Sequence, residues 1–212
     1  MPRIRGASIG EHHELVWADV AEAMRQLLLE CDYDSINMGH IAARAGLARN
    51  TLYNYARDKH ALVLVLTQRA ARPAAERVTM IAARSTDSAT ERIQEIIEAV
   101  LEELTDQAMV QLMFRPGTGP VTEVPQGPDS PFHVIVVEVE NVVRDGIARG
   151  EFRDVGDVHL MVELLSGVMR AGAERIGRDS ADLAATVRAA REIVLASLAR
   201  HADQGPSPGK LT

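Results

Sequence analysis

The sequence has few cysteines and no long apolar runs, and each shortage excludes a class of protein. The 212-residue chain holds one cysteine, Cys31, which excludes a disulfide framework and any metal site that needs several cysteines. No apolar run approaches the roughly 18 residues of a membrane span, and the early Arg3 and Arg5 are followed by Glu11 and Glu14 rather than by a signal-peptide core. We therefore expect a cytoplasmic protein that has no membrane partner.

Aromatic residues and lysines are also scarce. Aromatic residues make up 3% of the chain, and two lysines stand against 21 arginines. Alanine is the commonest residue, and alanine, leucine, glutamate and arginine all favour helices. The composition predicts an all-α protein with a core of aliphatic and methionine side chains. Taken alone, the formal net charge of −7 argues against a nucleic acid partner.

Apolar residues recur at three- and four-residue steps along most of the chain, as in amphipathic helices. The segment 115–131 holds five prolines and three glycines and is predicted to be mostly loop, with room for one short turn of helix. The tail at 203–212 is predicted to be disordered, and Pro73 to kink its helix. About nine helices result, and eight of them are predicted at 10–31, 38–45, 49–56, 58–84, 89–114, 132–149, 155–176 and 181–202.

Residues 38–57, MGHIAARAGLARNTLYNYAR, fit a helix-turn-helix unit. Such a unit needs a small residue where its helices approach most closely, here Ala42, and a residue that tolerates positive φ in its turn, here Gly46. Asn37 is the predicted N-cap of the first helix. The alternative is an αα-corner inside an ordinary helical core. Apolar side chains fall where the two helices cross, at Ile41, Ala45, Leu47, Leu52 and Tyr55.

The stretch IAARAGLARNTLYNYARDKHAL resembles the N-terminal domain of the tetracycline-repressor (TetR) family of bacterial transcriptional regulators. The resemblance covers roughly residues 12–66. It implies a three-helix DNA-binding domain at 1–57 and a helical ligand-binding and dimerisation domain at 58–202. Two positions depart from the family pattern. Ala48 replaces a common Ser, which removes a helix cap worth about 1 kcal/mol, and Ala56 replaces a common Phe, which removes an apolar anchor.

Positive charge concentrates in the same stretch. Between residues 44 and 59 four basic residues accompany one acid, a local sum of +3, although the chain is acidic overall. A DNA-binding protein needs a locally positive face rather than a basic whole. The objection raised by the net charge therefore does not hold for this segment.

The second helix of such a unit enters the major groove with its N-terminal half. Arg and Asn can pair bidentately with guanine and adenine, so we assign Arg49, Asn50 and Asn54 to base edges. A second group of residues is assigned to the phosphates of the DNA backbone. Asn37 would contact a phosphate through its backbone N–H, and the resemblance implies that Tyr55 and Lys59 clamp the DNA backbone. The phosphate candidates are Asn37, Thr51, Tyr53, Tyr55 and Lys59.

One helix-turn-helix unit reads only a few base pairs, so we expect a two-fold homodimer on a palindromic operator. Apolar stripes on the last two helices suit either an intramolecular core or an interface, and the resemblance implies that they pair into a four-helix bundle. The predicted dimer contacts are Leu160, Leu164, Gly167, Val168, Ala171, Val187, Val194 and Leu198. The middle helices are expected to enclose an apolar ligand cavity, with walls at Met109, Met113, Phe114, Val137, Met161 and Met169.

An enzyme is the main alternative from another class. The seven histidines show no metal-ligand spacing, and RPGTGP at 115–120 lacks the Lys of a phosphate-binding loop. We expect no catalytic residues, no metal and no cofactor. The sequence thus predicts a ligand-responsive DNA-binding regulator, a repressor released from its operator by a small, largely apolar effector. A helical ligand-binding or adaptor protein without sequence-specific DNA binding is the other open interpretation.

Overall fold

The computed structural model describes residues 8–105 and 130–200, and every regular element in these two ranges is helical. The predicted all-α class is confirmed, and the eight α-helices of these ranges are close to the nine expected. No helix in the described ranges combines the length and the apolar character needed to cross a membrane. The helices are α1 (Ile9–Glu30), α2 (Met38–Arg44), α3 (Arg49–Tyr55), α4 (Lys59–Ala82), α5 (Ala89–Glu103), α6 (Pro131–Ala148), α7 (Val158–Arg178) and α8 (Leu183–Leu198), with 3₁₀ turns at Tyr33–Ser35 and Ser180–Asp182.

Local capping chemistry explains where the helices of the predicted motif begin and end. The Asn37 side chain accepts hydrogen bonds from the backbone N–H groups of Gly39 and His40 at 2.9 and 3.0 Å, which confirms the predicted N-cap of α2. Gly46 follows α2 with φ +67°, the left-handed conformation that the turn needs. Ala48 stands at the N-cap of α3 without a side-chain hydrogen bond, as its methyl group requires.

Three predicted helices differ clearly from the structure, and α8 is one of them, since it spans Leu183–Leu198 instead of 181–202. α5 ends at Glu103 instead of continuing to residue 114, because the next residue, Leu104, leaves the helical conformation with φ −93° and ψ 34°. α7 begins at Val158 rather than 155, because Asp157 caps it by accepting from the backbone N–H of Leu160 at 3.0 Å. α4 continues through Pro73 as one helix. The tail at 203–212 and nearly all of the predicted loop at 115–131 lie outside the described residues.

The described residues form two compact units that divide between Ala71 and Arg72, within α4. We call residues 8–71 the first unit, and residues 72–105 with 130–200 the second unit. The core of the first unit contains Ile41 and Leu52, two of the positions at which the two motif helices were predicted to cross, and Ala42, the small residue predicted at their closest approach. The domain boundary at residue 57 stays a prediction.

The second unit packs the end of α4 with α5, α6, α7 and α8 around a core of valine, isoleucine and leucine. A charged residue, Arg92, is also buried there, and it donates to the backbone carbonyl of Ala82 and to the carboxylate of Asp145. Where α6 meets Phe152, the backbone of Gly146 lies so close that a Cβ would stand 2.3 Å from the ring. These contacts fix α4, α5 and α6 of this unit against one another.

Candidate nucleic-acid interface and ligand cavity

One face of α3 is exposed and carries most of the predicted DNA contacts. Arg49, Asn50, Tyr53 and Asn54 are exposed on it, whereas Leu52 is fully buried in the first unit. The guanidinium of Arg49 lies 5.7 Å from the centre of the Tyr53 ring and donates to its hydroxyl at 3.4 Å. These four side chains therefore form one surface that presents a cation, two amides and a phenol to solvent.

The other predicted contacts of α3 are less exposed. Tyr55 is half-buried, and its ring stacks on His13 of α1 with centroids 4.9 Å apart. The same ring meets Trp17 edge-on at 5.5 Å. Tyr55 thus fastens the end of α3 to α1, and its phosphate contact stays a prediction. Thr51 is half-buried as well.

Lys59, at the start of α4, is turned towards the connection between α1 and α2. Its ammonium donates to the backbone carbonyls of Tyr33 and Ile36, each at 2.8 Å. The nitrogen also lies 4.0 Å from the centre of the Tyr33 ring, within the range of a cation–π contact. The structure therefore does not bring the ammonium to the exposed face of α3, where sequence reasoning placed it beside the other DNA contacts.

The positive charge of residues 44–59 is partly offset in the folded unit by an acidic residue from outside this segment. Glu30 of α1 receives two hydrogen bonds from the guanidinium of Arg44, at 2.8 and 2.5 Å. These bonds hold the pKa of the Glu30 carboxyl below its usual value. Arg57 lies 3.3 Å from the carboxylate of Asp58. The sequence sum of +3 missed Glu30 because this residue is 14 positions away from its partner.

The second unit encloses an apolar cavity of about 120 Å³ among α5, α6, α7 and α8. Among the described residues of the lining, Ser166 alone has a polar side chain, and its hydroxyl donates to the backbone carbonyl of Glu163 at 2.6 Å. The other lining residues are aliphatic or methionine, and they comprise Ile93, Ile96, Ile97, Val100, Ile135, Val136, Val139, Val143, Val162, Leu165, Met169, Val194 and Leu198.

Of the predicted cavity walls, Met169 lines this cavity and two others do not. Val137 is 36% exposed on α6, and its neighbours Val136 and Val139 face the cavity instead. Met161 packs half-buried against the core of the unit. Met109, Met113 and Phe114 lie outside the described residues. The apolar face of α5 is the sequence signal that would have found the cavity, because four of its isoleucine and valine residues line it.

The predicted dimer stripe of α7 is an exposed apolar surface. Leu160 and Leu164 are 50% and 65% exposed, and Gly167, Val168 and Ala171 continue the row. A shallow groove beside this row is bordered by Leu164 and, on α8, by Ala185, Ala189 and Ile193.

The predicted dimer contacts of α8 are not exposed on the surface of the chain. Val187, Val194 and Leu198 are buried in the core of the second unit of their own chain, so they are not available to a second copy. The strongest apolar stripe of a surface helix faces its own core. The exposed side of α8 is a weaker row of alanines with Ile193, which is 51% exposed.

Solved structures of other proteins share this fold. A transcriptional regulator FadR from Bacillus subtilis, solved with stearoyl-CoA, is 18% identical and superimposes with a TM-score of 0.70 over 86% of this chain and 99% of that chain. SmeT, the repressor of the Stenotrophomonas maltophilia multidrug efflux pump SmeDEF, is 15% identical and gives a TM-score of 0.68 over 94% and 96% of the two chains. Its complex with triclosan is 17% identical and gives 0.70 over 93% and 99%. At these identities the likeness concerns the fold alone.

The sequence itself matches one protein family. Residues 21–66 match the family described as bacterial regulatory proteins, tetR family, and this range lies within the one for which the sequence resemblance was noted. No curated protein matches the chain significantly. The matched residues contain α2, α3 and the exposed face of α3. Residues 21–66 therefore match the N-terminal domain of the TetR family of bacterial regulatory proteins.

Proposed function

We propose that the protein is a repressor that binds a palindromic operator as a homodimer and leaves it when a small, apolar effector enters the cavity of the second unit. The main support for this proposal is the exposed face of α3, which carries Arg49, Asn50 and Asn54. Arginine and asparagine are the side chains that pair with guanine and adenine in the major groove. In a helix-turn-helix domain this helix is the one that enters the groove.

The cavity supports a neutral, apolar effector. The lining residues that the structure describes include no charged side chain, so among them a charged ligand would lose its hydration without gaining a partner. An engineered apolar cavity of about 150 Å³ binds benzene, so a cavity of about 120 Å³ suits a molecule of similar size. The ligands of the two similar structures, stearoyl-CoA and triclosan, each have an apolar part, which agrees with the apolar character of the cavity.

The exposed leucines of α7 support the homodimer. Leu160 and Leu164 would each remove apolar surface from water if a second copy covered them, at about 25 cal/mol per Å² buried. Gly167 and Ala171 continue the row with small side chains, which let two helices approach closely. A two-fold dimer would then place two copies of α3 on half-sites about one turn of DNA apart.

α4 supports a coupling between effector and operator because it belongs to both units. It begins at Lys59 in the first unit and ends at Ala82 in the second. A displacement of its second half by the effector would be carried along one continuous helix. Changing operator occupancy from 99:1 to 1:99 requires about 5.5 kcal/mol of difference between the effector's affinities for the two states.

DNA reading is tested by selecting duplexes from genomic fragments and measuring their affinity by fluorescence anisotropy. Asn50→Ala is expected to weaken the selected duplex by about 1–3 kcal/mol, roughly 5- to 150-fold. Asn141→Ala is the matched control, since Asn141 is an exposed asparagine of α6 and should leave affinity unchanged. If wild-type protein selects no sequence, the adaptor interpretation is favoured instead.

The effector site is tested with benzene and cyclohexane as probes in a thermal unfolding assay. Val139→Phe places a ring in the cavity and should abolish the rise in melting temperature that the probes cause. Val137→Phe makes the same change two residues away on the exposed side of α6 and should keep that rise. An equal response of both variants would mean that the probes bind elsewhere.

The dimer is tested by sedimentation of the wild-type protein and of two matched variants. Leu164→Glu introduces a charge into the proposed interface and should give a monomer at micromolar concentration. Leu29→Glu changes a leucine of similar exposure, 62% against 65%, on α1 of the first unit and should leave the dimer intact. A wild-type monomer under these conditions would contradict the homodimer.

A further inference from the structure

The contacts of Lys59 point to a role different from a phosphate contact. Its ammonium holds the backbone carbonyls of Tyr33 and Ile36, both at 2.8 Å, and lies over the Tyr33 ring. Both carbonyls belong to the connection between α1 and α2, and Tyr33 is itself buried in the first unit. We propose that Lys59 is a positioning residue for DNA binding, which acts by fixing the backbone of residues 33–37 rather than by touching DNA. This inference rests on the proposed DNA binding.

The carbonyl of Ile36 connects Lys59 to a group at the DNA-facing side of the motif. The peptide bond that contains this carbonyl also contains the N–H of Asn37. All described peptide bonds are trans, and in a planar trans peptide the C=O and N–H groups point in opposite directions. An ammonium bound to the Ile36 carbonyl therefore directs the Asn37 N–H away from Lys59. It also polarises this N–H, which becomes a better hydrogen-bond donor.

Asn37 has a second reason to be held firmly. Its side chain caps α2 through two hydrogen bonds to Gly39 and His40. A rotation of the peptide before Asn37 would move this cap together with the first turn of α2. Lys59 thus fixes the orientation of the peptide bond before Asn37. The direction of the Asn37 N–H and the position of the Asn37 cap on α2 both depend on that orientation.

A direct phosphate contact by the same ammonium would be in conflict with these bonds. Lysine offers three N–H donors, and two of them are used by the carbonyls. To reach a phosphate, the half-buried ammonium would have to leave charge-assisted hydrogen bonds and the face of the Tyr33 ring. A phosphate contact and a positioning contact also leave different traces in the salt dependence of binding, because only a cation on a phosphate releases counterions.

The test compares Lys59→Met, Lys59→Gln and, as a control, Arg57→Met in the full-length chain. Arg57 is a neighbouring cation whose side chain is 85% exposed. Affinity is measured for a duplex that the wild-type protein selects and for a mixed-sequence duplex of equal length, at several salt concentrations well below the melting temperature. Amide hydrogen exchange is followed for residues 33–41 and for the rest of α1 and α4.

Lys59→Met should weaken the selected duplex about tenfold, leave the slope of log affinity against log salt unchanged, and speed exchange within residues 33–41 alone. Lys59→Gln should restore part of the affinity and part of the protection from exchange at residues 33–41, since glutamine keeps an N–H donor without the charge. Arg57→Met should leave exchange at 33–41 unchanged.

Three results would overturn the proposal. The first is a slope that falls by about 0.9 in both Lys59 variants with unchanged exchange, which means a phosphate contact. The second is faster exchange across the whole first unit, which means general stabilisation. The third is unchanged affinity. If the wild-type protein binds neither duplex, the proposed function fails, which is a different outcome from these three.

Discussion

Arg92 gives the sharpest prediction about the second unit, because it is a buried cation whose side chain joins three helices. It is 3% exposed on α5 and donates to the carbonyl of Ala82 at the end of α4, at 3.1 Å. It also donates to the carboxylate of Asp145 on α6. We expect Arg92→Met to lower the free energy of unfolding of this unit far more than the loss of an exposed arginine does.

The magnitude follows from what each atom of Arg92 contacts. A hydrogen bond to a charged group contributes about 1.5–3 kcal/mol, and breaking a buried ion pair by removing one partner costs about 3–5 kcal/mol. Two facts reduce this loss. Asp145 keeps Arg149 at 3.0 Å, and the buried Nε of Arg92, which has no hydrogen-bond partner among the described residues, is removed with the guanidinium. We therefore expect a net loss of about 2–4 kcal/mol.

The assay is amide hydrogen exchange of the slowest core amides of α5 and α6, which gives the free energy of opening of this unit itself. Arg84→Met is the matched control, because Arg84 pairs with Glu95 while both side chains are 44% exposed, and such a pair contributes less than about 1 kcal/mol. Equal losses in the two variants would refute the reasoning, since burial would then make no difference.

The dependence of stability on pH provides a second test of the pair formed by Arg92 and Asp145. Burial raises the pKa of the Asp145 carboxyl, but the hydrogen bond from Arg92 and the charges of Arg149 and Arg92 lower it more, so the pKa lies below its ordinary value. A carboxyl of this kind stabilises the fold above its unfolded pKa, about 3.9, and this contribution is lost as the pH falls through the folded pKa. As the pH is lowered below 4, the free energy of unfolding of Arg92→Met should therefore fall less steeply than that of the wild-type protein.

Two further predictions concern α6. Gly146→Ala should lower stability by about 1–3 kcal/mol in thermal unfolding, because its Cβ would stand 2.3 Å from buried Phe152, whereas Gly10→Ala, whose Cβ would have 3.8 Å of clearance, should not. The ring of His159 donates a hydrogen bond to the carboxylate of Glu140, which raises the pKa of His159. The contribution of this pair is therefore present below about pH 6.5 and lost as the pH rises through the folded pKa. Glu140→Gln should lower the His159 pKa towards its ordinary value when the titration is followed by NMR, and an unchanged titration would contradict the pairing.

The parts of the fold that sequence predicted are those set by near neighbours in the chain. Asn37 caps α2 because its side chain reaches N–H groups two and three residues away. Gly46 follows the end of the same helix in the left-handed conformation, which glycine adopts readily and which depends only on the local backbone. The division of α3 into a buried Leu52 face and an exposed Asn50 face follows from helical periodicity alone.

The parts that sequence did not predict depend on residues far apart in the chain. The valines of α6 are nearly continuous, so periodicity does not show that Val139 lines the cavity while Val137 faces outward. On α8 the pattern showed an apolar stripe but not whether its own chain or a second copy covers it. The pairing of Arg44 with Glu30 and the burial of Arg92 are also invisible without the fold.

The aromatic contacts between α1 and α3 have a practical consequence. Trp17 is the one tryptophan of the chain, and it lies edge-on to Tyr55 at the end of α3, with its ring also 5.6 Å from the guanidinium of Arg69. Because Trp17 lies in the first unit, intrinsic fluorescence excited at the indole band reports on that unit only. A groove of the first unit also borders Trp17, so a change in emission on adding an apolar probe would record communication between the two units only if Val139→Phe abolishes it.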